Sequence, residues 1–164
     1  MQNALRAVTL AATVFAAPAL AQQGDVARGK YLASIMDCTG CHTAGSLIGQ
    51  PDPKRFLAGS EIGFGVPGLG VFYPPNLTPD RETGLGGWSD AEIVAAIRKG
   101  ERPDGRMLAP MMPWPSYAAL TDADAGALVA YLRSLPPVRF KAPAPVGPNE
   151  TAPSPYLTLV DPKR

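Results

Sequence analysis

Cys38-Thr39-Gly40-Cys41-His42 holds both cysteines of the chain and its single histidine. Two thiols separated by two residues, with an imidazole directly after, is the spacing that attaches a c-type haem. The thiols add to the two vinyl groups, and the histidine lies beneath the iron as an axial ligand. Three other chemistries use cysteines so spaced. A thioredoxin-like redox pair belongs in a βαβ setting, and no alternation of strands and helices surrounds this one. A structural zinc takes four protein ligands, whereas the motif supplies three. A Cys38–Cys41 disulfide would close a very short loop, where a cross-link adds least stability. The haem reading therefore leads, with Cys38 and Cys41 as attachment points and His42 as metal ligand. There is no second motif of this kind, so one covalent haem c is expected.

Upstream, Asp25 is placed to cap a helix over residues 26–37 that delivers the chain into Cys38. Val26, Gly29, Leu32, Ala33 and Met36 give it an apolar face. Gly29 weakens a helix and suits a point where another helix crosses closely. Residues 1–21 read as a secretory signal peptide: Arg6, an apolar run from Ala7 to Ala17, and a cleavage site at Ala19-Leu20-Ala21. The run falls short of the ~20 apolar residues of a membrane span, so a periplasmic protein without a transmembrane anchor is expected. Loss of Arg6 leaves 14 basic and 14 acidic residues. A balanced chain argues against nucleic acid or an anionic membrane as partner.

Downstream, residues 43–88 show little periodicity and are punctuated by glycine and proline. A short hairpin is expected there, Ile62–Phe64 and Val71–Tyr73 about a Val66-Pro67-Gly68 turn. So long a coil in a compact domain argues against itself unless it wraps something rigid, as a porphyrin is. Glycine and proline number 17 and 19, below the ~25–30% at which disorder becomes the default. Ser89-Asp90-Ala91-Glu92 is a capping box opening a helix to Lys99, with Gly100 as its stop. Thr121 opens another to Ser134, in which Leu128, Tyr131, Leu132 and Leu135 follow the helical rule. The domain is expected over residues 22–140, followed by a proline-rich tail, 141–164, extended over it or flexible.

The iron's sixth ligand cannot be a second histidine. Beyond the signal peptide the methionines are Met36, Met107, Met111 and Met112. Met36 sits just before the attachment site, poorly placed for the far face. Met112, between Pro110-Met111 and Pro113, lies in a loop whose prolines fix φ and is the expected ligand, ahead of Met111. A thioether there raises the potential relative to a second imidazole.

The ensemble resembles a class I cytochrome c, and in particular the haem domains of cytochrome c subunits of membrane-associated alcohol dehydrogenases and related periplasmic oxidoreductases. The resemblance spans about residues 25–138. It runs through Gly29-Lys30-Tyr31-Leu32, Asp37 to His42, Tyr73-Pro74-Pro75-Asn76-Leu77-Thr78-Pro79-Asp80, Thr83-Gly84-Leu85-Gly86, Trp88, Met112-Pro113-Trp114-Pro115-Ser116-Tyr117, and Leu128 to Pro136. It implies an all-α fold of three to five helices around one haem, with long Gly/Pro-rich loops. It also implies Met112 as distal ligand, first and last helices crossing with Gly29 near Tyr131, and Asn76 and Trp88 against the haem and its propionates. The dehydrogenase subunits typically carry three such domains and a membrane-binding tail; one domain and no anchor are expected here.

These readings converge on a periplasmic electron carrier rather than an enzyme. It would cycle between Fe(II) and Fe(III), taking electrons from a dehydrogenase and passing them to the respiratory chain through an oxidase or another cytochrome. Its expected state is a monomer or a subunit of a dehydrogenase complex. An open-site haem enzyme or ligand binder would need a polar distal group, and the single histidine is already used. His42 should donate its other ring nitrogen to a carbonyl, which the sequence does not single out.

Overall fold

In a computed structural model, the structure describes residues 18–160 and 162, with side chains from Asp25 onward. The apolar run of the expected signal peptide lies outside the described residues. Helix α1 spans Pro18–Ile35, starting earlier than expected, so the expected cleavage site falls within its first turns. The chain continues through α2 (Cys38–His42), strands β1 (Gly63–Val66) and β2 (Gly70–Phe72), α3 (Asp90–Lys99), α4 (Trp114–Tyr117), α5 (Asp122–Ser134) and β3 (Tyr156–Thr158).

The two longest helices form the frame. A Cβ on Gly29 would lie 1.9 Å from the Ala127 carbonyl oxygen and 2.7 Å from Tyr131 Cβ, so α1 and α5 touch backbone to backbone there. Only a residue with no side chain permits that approach. Around the crossing, Leu32 and Ala33 of α1 join Leu128, Val129 and Leu132 of α5, Ile93 of α3 and Leu57 from the coil in one core.

Helix α3 begins as the sequence predicts. Ser89 Oγ accepts from Glu92 N, and the Glu92 carboxylate accepts from Ser89 N. It ends at Gly100, with φ +73°. Helix α5 is capped by Thr121, whose hydroxyl accepts from Asp124 N at 3.1 Å. Arg133 of α5 closes the frame onto the coil, donating to the carbonyls of Leu85 and Trp88 and to Asp90.

The hairpin is present, with Phe64 opposite Phe72 and Val66 opposite Gly70. The tail is a structural part. It crosses to β1 and pairs in parallel, Gly63 with Tyr156 and Gly65 with Thr158, making a three-stranded sheet of order β2-β1-β3. On the way it bridges Val146 to Val71. No helix of the described residues is long and apolar enough to cross a membrane.

Candidate functional site

Helix α1 stops at Ile35 and Asp37 turns the chain in a left-handed conformation, φ +52°. Its carboxylate then caps α2, accepting from Gly40 N at 3.2 Å. One tight helical turn thus carries Cys38, Cys41 and His42, a short helix that periodicity could not announce. Both cysteines are free thiols and half-buried. Burial pushes the Cys38 thiol up to about 11, and Cys41 is raised for the same reason with Asp37 adding to it. A reactive dithiol needs its thiolate stabilised; these are held neutral. The environment disfavours redox exchange, and neutral thiols are what a vinyl group adds.

His42 is buried. Its Nδ1 lies 2.8 Å from the Pro75 carbonyl oxygen, 33 positions along the chain. Burial lowers its pKa, against a smaller rise from the Pro75 hydrogen bond. A neutral imidazole beside a carbonyl donates Nδ1–H to it, which leaves the Nε2 lone pair for a metal. The acceptor is therefore Pro75, beyond the loop that follows the motif.

Pro75 is itself held. The next residue, Asn76, is buried and its amide is fully engaged. Nδ2 donates to Thr83 Oγ1 at 3.0 Å and to the Val138 carbonyl at 2.7 Å, with Phe140 O at 3.4 Å. Oδ1 accepts from Thr78 N and Thr78 Oγ1 at 2.9 and 2.8 Å. Asn76 thus joins the loop behind His42 to the stretch after α5. Thr43, next to His42, accepts from Leu57 N at 3.0 Å through its hydroxyl. Leu57, wholly buried with φ +54°, in turn accepts from Leu77 N at 2.9 Å.

Met112 is half-buried and Met111 exposed. The Met112 backbone is fixed on both sides, its N–H donating to Ala109 O and its carbonyl accepting from Trp114 N. At the far end of α4, Tyr117 OH reaches Met36 O at 2.8 Å, just before Cys38. The Tyr117 hydroxyl is pushed up to about 12 by burial, then by the nearby Cys38 and Cys41. One hydrogen bond therefore ties the Met112 segment to the attachment segment. Trp88 is half-buried at the edge of the core. It packs against the same core cluster as Cys38 and Leu77, and carries the Arg102 guanidinium 5.1 Å from its ring centroid.

Sequence reasoning missed Tyr117 and Thr43 as clamps, though Tyr117 stands in the quoted Met112–Tyr117 stretch. The only pointer to Pro75 was its place in the Pro74-Pro75-Asn76 run.

Two thiols and one neutral imidazole on a single helical turn, inside a frame of crossed helices with long coils, define a class I cytochrome c fold. The chain belongs to the cytochrome c family, whose description matches residues 26–136. It is 40% identical over 143 residues to the cytochrome c subunit of a quinone-dependent alcohol dehydrogenase of Gluconobacter oxydans, covering 85% of this chain and 28% of that one. It is 39% identical over 133 residues to the gluconate 2-dehydrogenase cytochrome c subunit of Pantoea cypripedii, covering 80% and 28%. With the fructose dehydrogenase cytochrome subunit of Gluconobacter japonicus the figures are 38% over 116 residues, covering 70% and 22%. The chain thus spans little more than a quarter of the first two relatives and less of the third. Family membership implies a covalent haem c, and the free thiols with a free imidazole nitrogen beside them fit that group.

Proposed function

We propose that this protein is a periplasmic electron carrier holding one haem c, bound through Cys38 and Cys41, with His42 and Met112 as axial ligands. The haem supplies a one-electron Fe(II)/Fe(III) couple when bound. The chain's part is to keep both ligands in place in either oxidation state, so that little rearranges on transfer. His42 is oriented by Pro75. Met112 is held in a backbone-bonded loop that Tyr117 fastens to Met36. The greater burial of Met112 than Met111 favours it as the sulfur donor. Trp88 lies against the ring, and Asn76 serves it by holding the loop that carries Pro75. No residue is assigned a catalytic role.

The observation that carries this reading is the His42–Pro75 hydrogen bond, because it fixes the tautomer a haem ligand needs. The relatives named as dehydrogenase subunits support a dehydrogenase as the electron donor; the acceptor proposed is the respiratory chain, through an oxidase or another cytochrome. A role as the cytochrome subunit of a dehydrogenase complex is the second reading, favoured because similar chains are named as such subunits. Co-purification with a dehydrogenase at high salt selects it; a lone monomer on gel filtration selects the free carrier.

The ligand assignment has a spectral test. Ferric protein should show a sulfur-to-iron charge-transfer band that disappears in Met112→Ala and persists in Met111→Ala. The reverse pattern would overturn the assignment. A pyridine haemochrome spectrum without covalent haem would overturn the whole reading.

A further inference from the structure

The hydrogen bond that orients His42 ends on a stretch with little of its own to hold it. Pro74 and Pro75 have no N–H to donate and a fixed φ, so the pair offers only carbonyls. Pro75 O lies 2.8 Å from His42 Nδ1, and Pro74 O accepts from Ser60 N at 3.0 Å. A displacement at either end of so stiff a run reaches Pro75 instead of being absorbed. Where the Pro75 carbonyl stands is therefore decided by the residues that flank the pair, Tyr73 and Asn76.

Both are held by the segment that follows α5. On one side, Asn76 Nδ2 donates to Val138 O at 2.7 Å, and Val138 N donates in return to Thr78 Oγ1 at 3.1 Å. On the other, Tyr73 OH donates to Ser154 O at 2.7 Å and accepts from Ser154 N at 3.2 Å. The buried Tyr73 ring lies on Gly63, where a Cβ would come within 2.8 Å of it. Gly63 N donates to the O of Pro155, next to Ser154, at 2.9 Å. Two residues before Tyr73, Val71 and Val146 exchange both backbone bonds, at 2.9 and 3.0 Å. Residues 137–160 are all described, and none of them is buried. The segment adds no side chain to the core. Its hydrogen bonds fall on both flanks of the carbonyl that serves His42.

Resting on the haem c reading above, we propose that Tyr73 is a positioning residue for His42, and that the tail is the strap that keeps Tyr73 in place. Fastened to Ser154, Tyr73 holds the Pro75 carbonyl on the His42 Nδ1–H. A strong bond there makes the imidazole a better electron donor to a metal, which favours ferric iron and lowers the potential. A segment outside the core thus tunes an axial ligand it does not touch.

The test uses the full chain loaded with haem, with covalent haem quantified by its pyridine spectrum. Tyr73→Phe keeps the ring on Gly63 and removes both bonds to Ser154. Its reduction potential should rise, and the His42 Nδ1 proton resonance of the ferrous protein should shift. The Met112 charge-transfer band of the ferric protein should survive. Thr158→Val removes a tail bond outside the 71–78 stretch, from Thr158 Oγ1 to Gly65 O at 3.1 Å, and should leave the potential unchanged. The proposal is overturned by a Tyr73→Phe potential equal to wild type, by a shift that comes with loss of the Met112 band, or by an equal shift in Thr158→Val. If Tyr73→Phe does not load haem, hydrogen exchange in the wild-type holoprotein takes its place. Ser60 N–H, bonded to Pro74 O, should exchange in step with the N–H groups of Val146 and Ser154, as one opening unit. A Ser60 N–H still protected once those two have exchanged overturns the strap. Absence of covalent haem from the wild-type protein overturns the haem reading instead, so the two failures are distinguishable.

Discussion

Thr43 shows how a single hydroxyl supports the site. It follows His42 and accepts from the N–H of Leu57, a buried residue in a left-handed conformation that side chains rarely adopt. Thr43→Val keeps the shape and removes the acceptor, leaving a buried N–H unsatisfied. The expected loss is about 1–3 kcal/mol, read from chemical denaturation of the haem-loaded protein. Denaturation at the wild-type midpoint would show that Leu57 is held by its packing alone. Legibility at this scale follows sequence distance. Cys38, Cys41 and His42 could be picked out together because the motif is contiguous, and one helical turn carries all three. The carbonyl serving His42 could not, because Pro75 lies 33 positions away and nothing local distinguishes it from other prolines.

Among elements, those with local signals were legible. The Ser89/Glu92 box and the Gly100 stop are written within one stretch, and α3 has the predicted bounds. The one-turn helix α2 depends on Asp37 in a left-handed conformation, and α4 on a proline-containing turn, neither of which leaves a periodic trace. The α1–α5 crossing was foreseen through Gly29, and it sets a prediction. In Gly29→Ala the new methyl meets the Ala127 carbonyl, which is backbone and cannot rotate away. The helices must separate, at a cost of about 1–3 kcal/mol typical of overpacking. Thermal unfolding of the variant should show a lowered midpoint. Gly126→Ala, one position from Ala127 with nothing within 4 Å of its Cβ, should not be lowered by a clash.

Across the whole molecule the tail is the part the sequence could not place. Its prolines suppress periodicity, and its partner strand lies some ninety residues earlier, as the Thr158–Gly65 bond records. Besides β3, it is secured by Tyr73, whose OH donates to Ser154 O at 2.7 Å and accepts from Ser154 N at 3.2 Å. Tyr73→Phe removes both bonds from a half-buried site, each worth about 0.5–1.5 kcal/mol. Proteolysis should then cut the tail near residues 150–156 faster than in wild type, with the Met112 band retained. Equal cleavage rates would mean that the β1–β3 pairing alone secures the tail.

The contact of Gly29 with Ala127 also carries an entropic consequence. Bringing those positions together closes a loop of roughly a hundred residues, costing about 4 kcal/mol beyond a constant. Because that cost grows with the logarithm of length, halving the loop would recover only about 0.6 kcal/mol. The helix pair therefore exerts almost no pressure to shorten the coil it encloses. The length of residues 43–88 is free to be set by what those residues must reach and pack against.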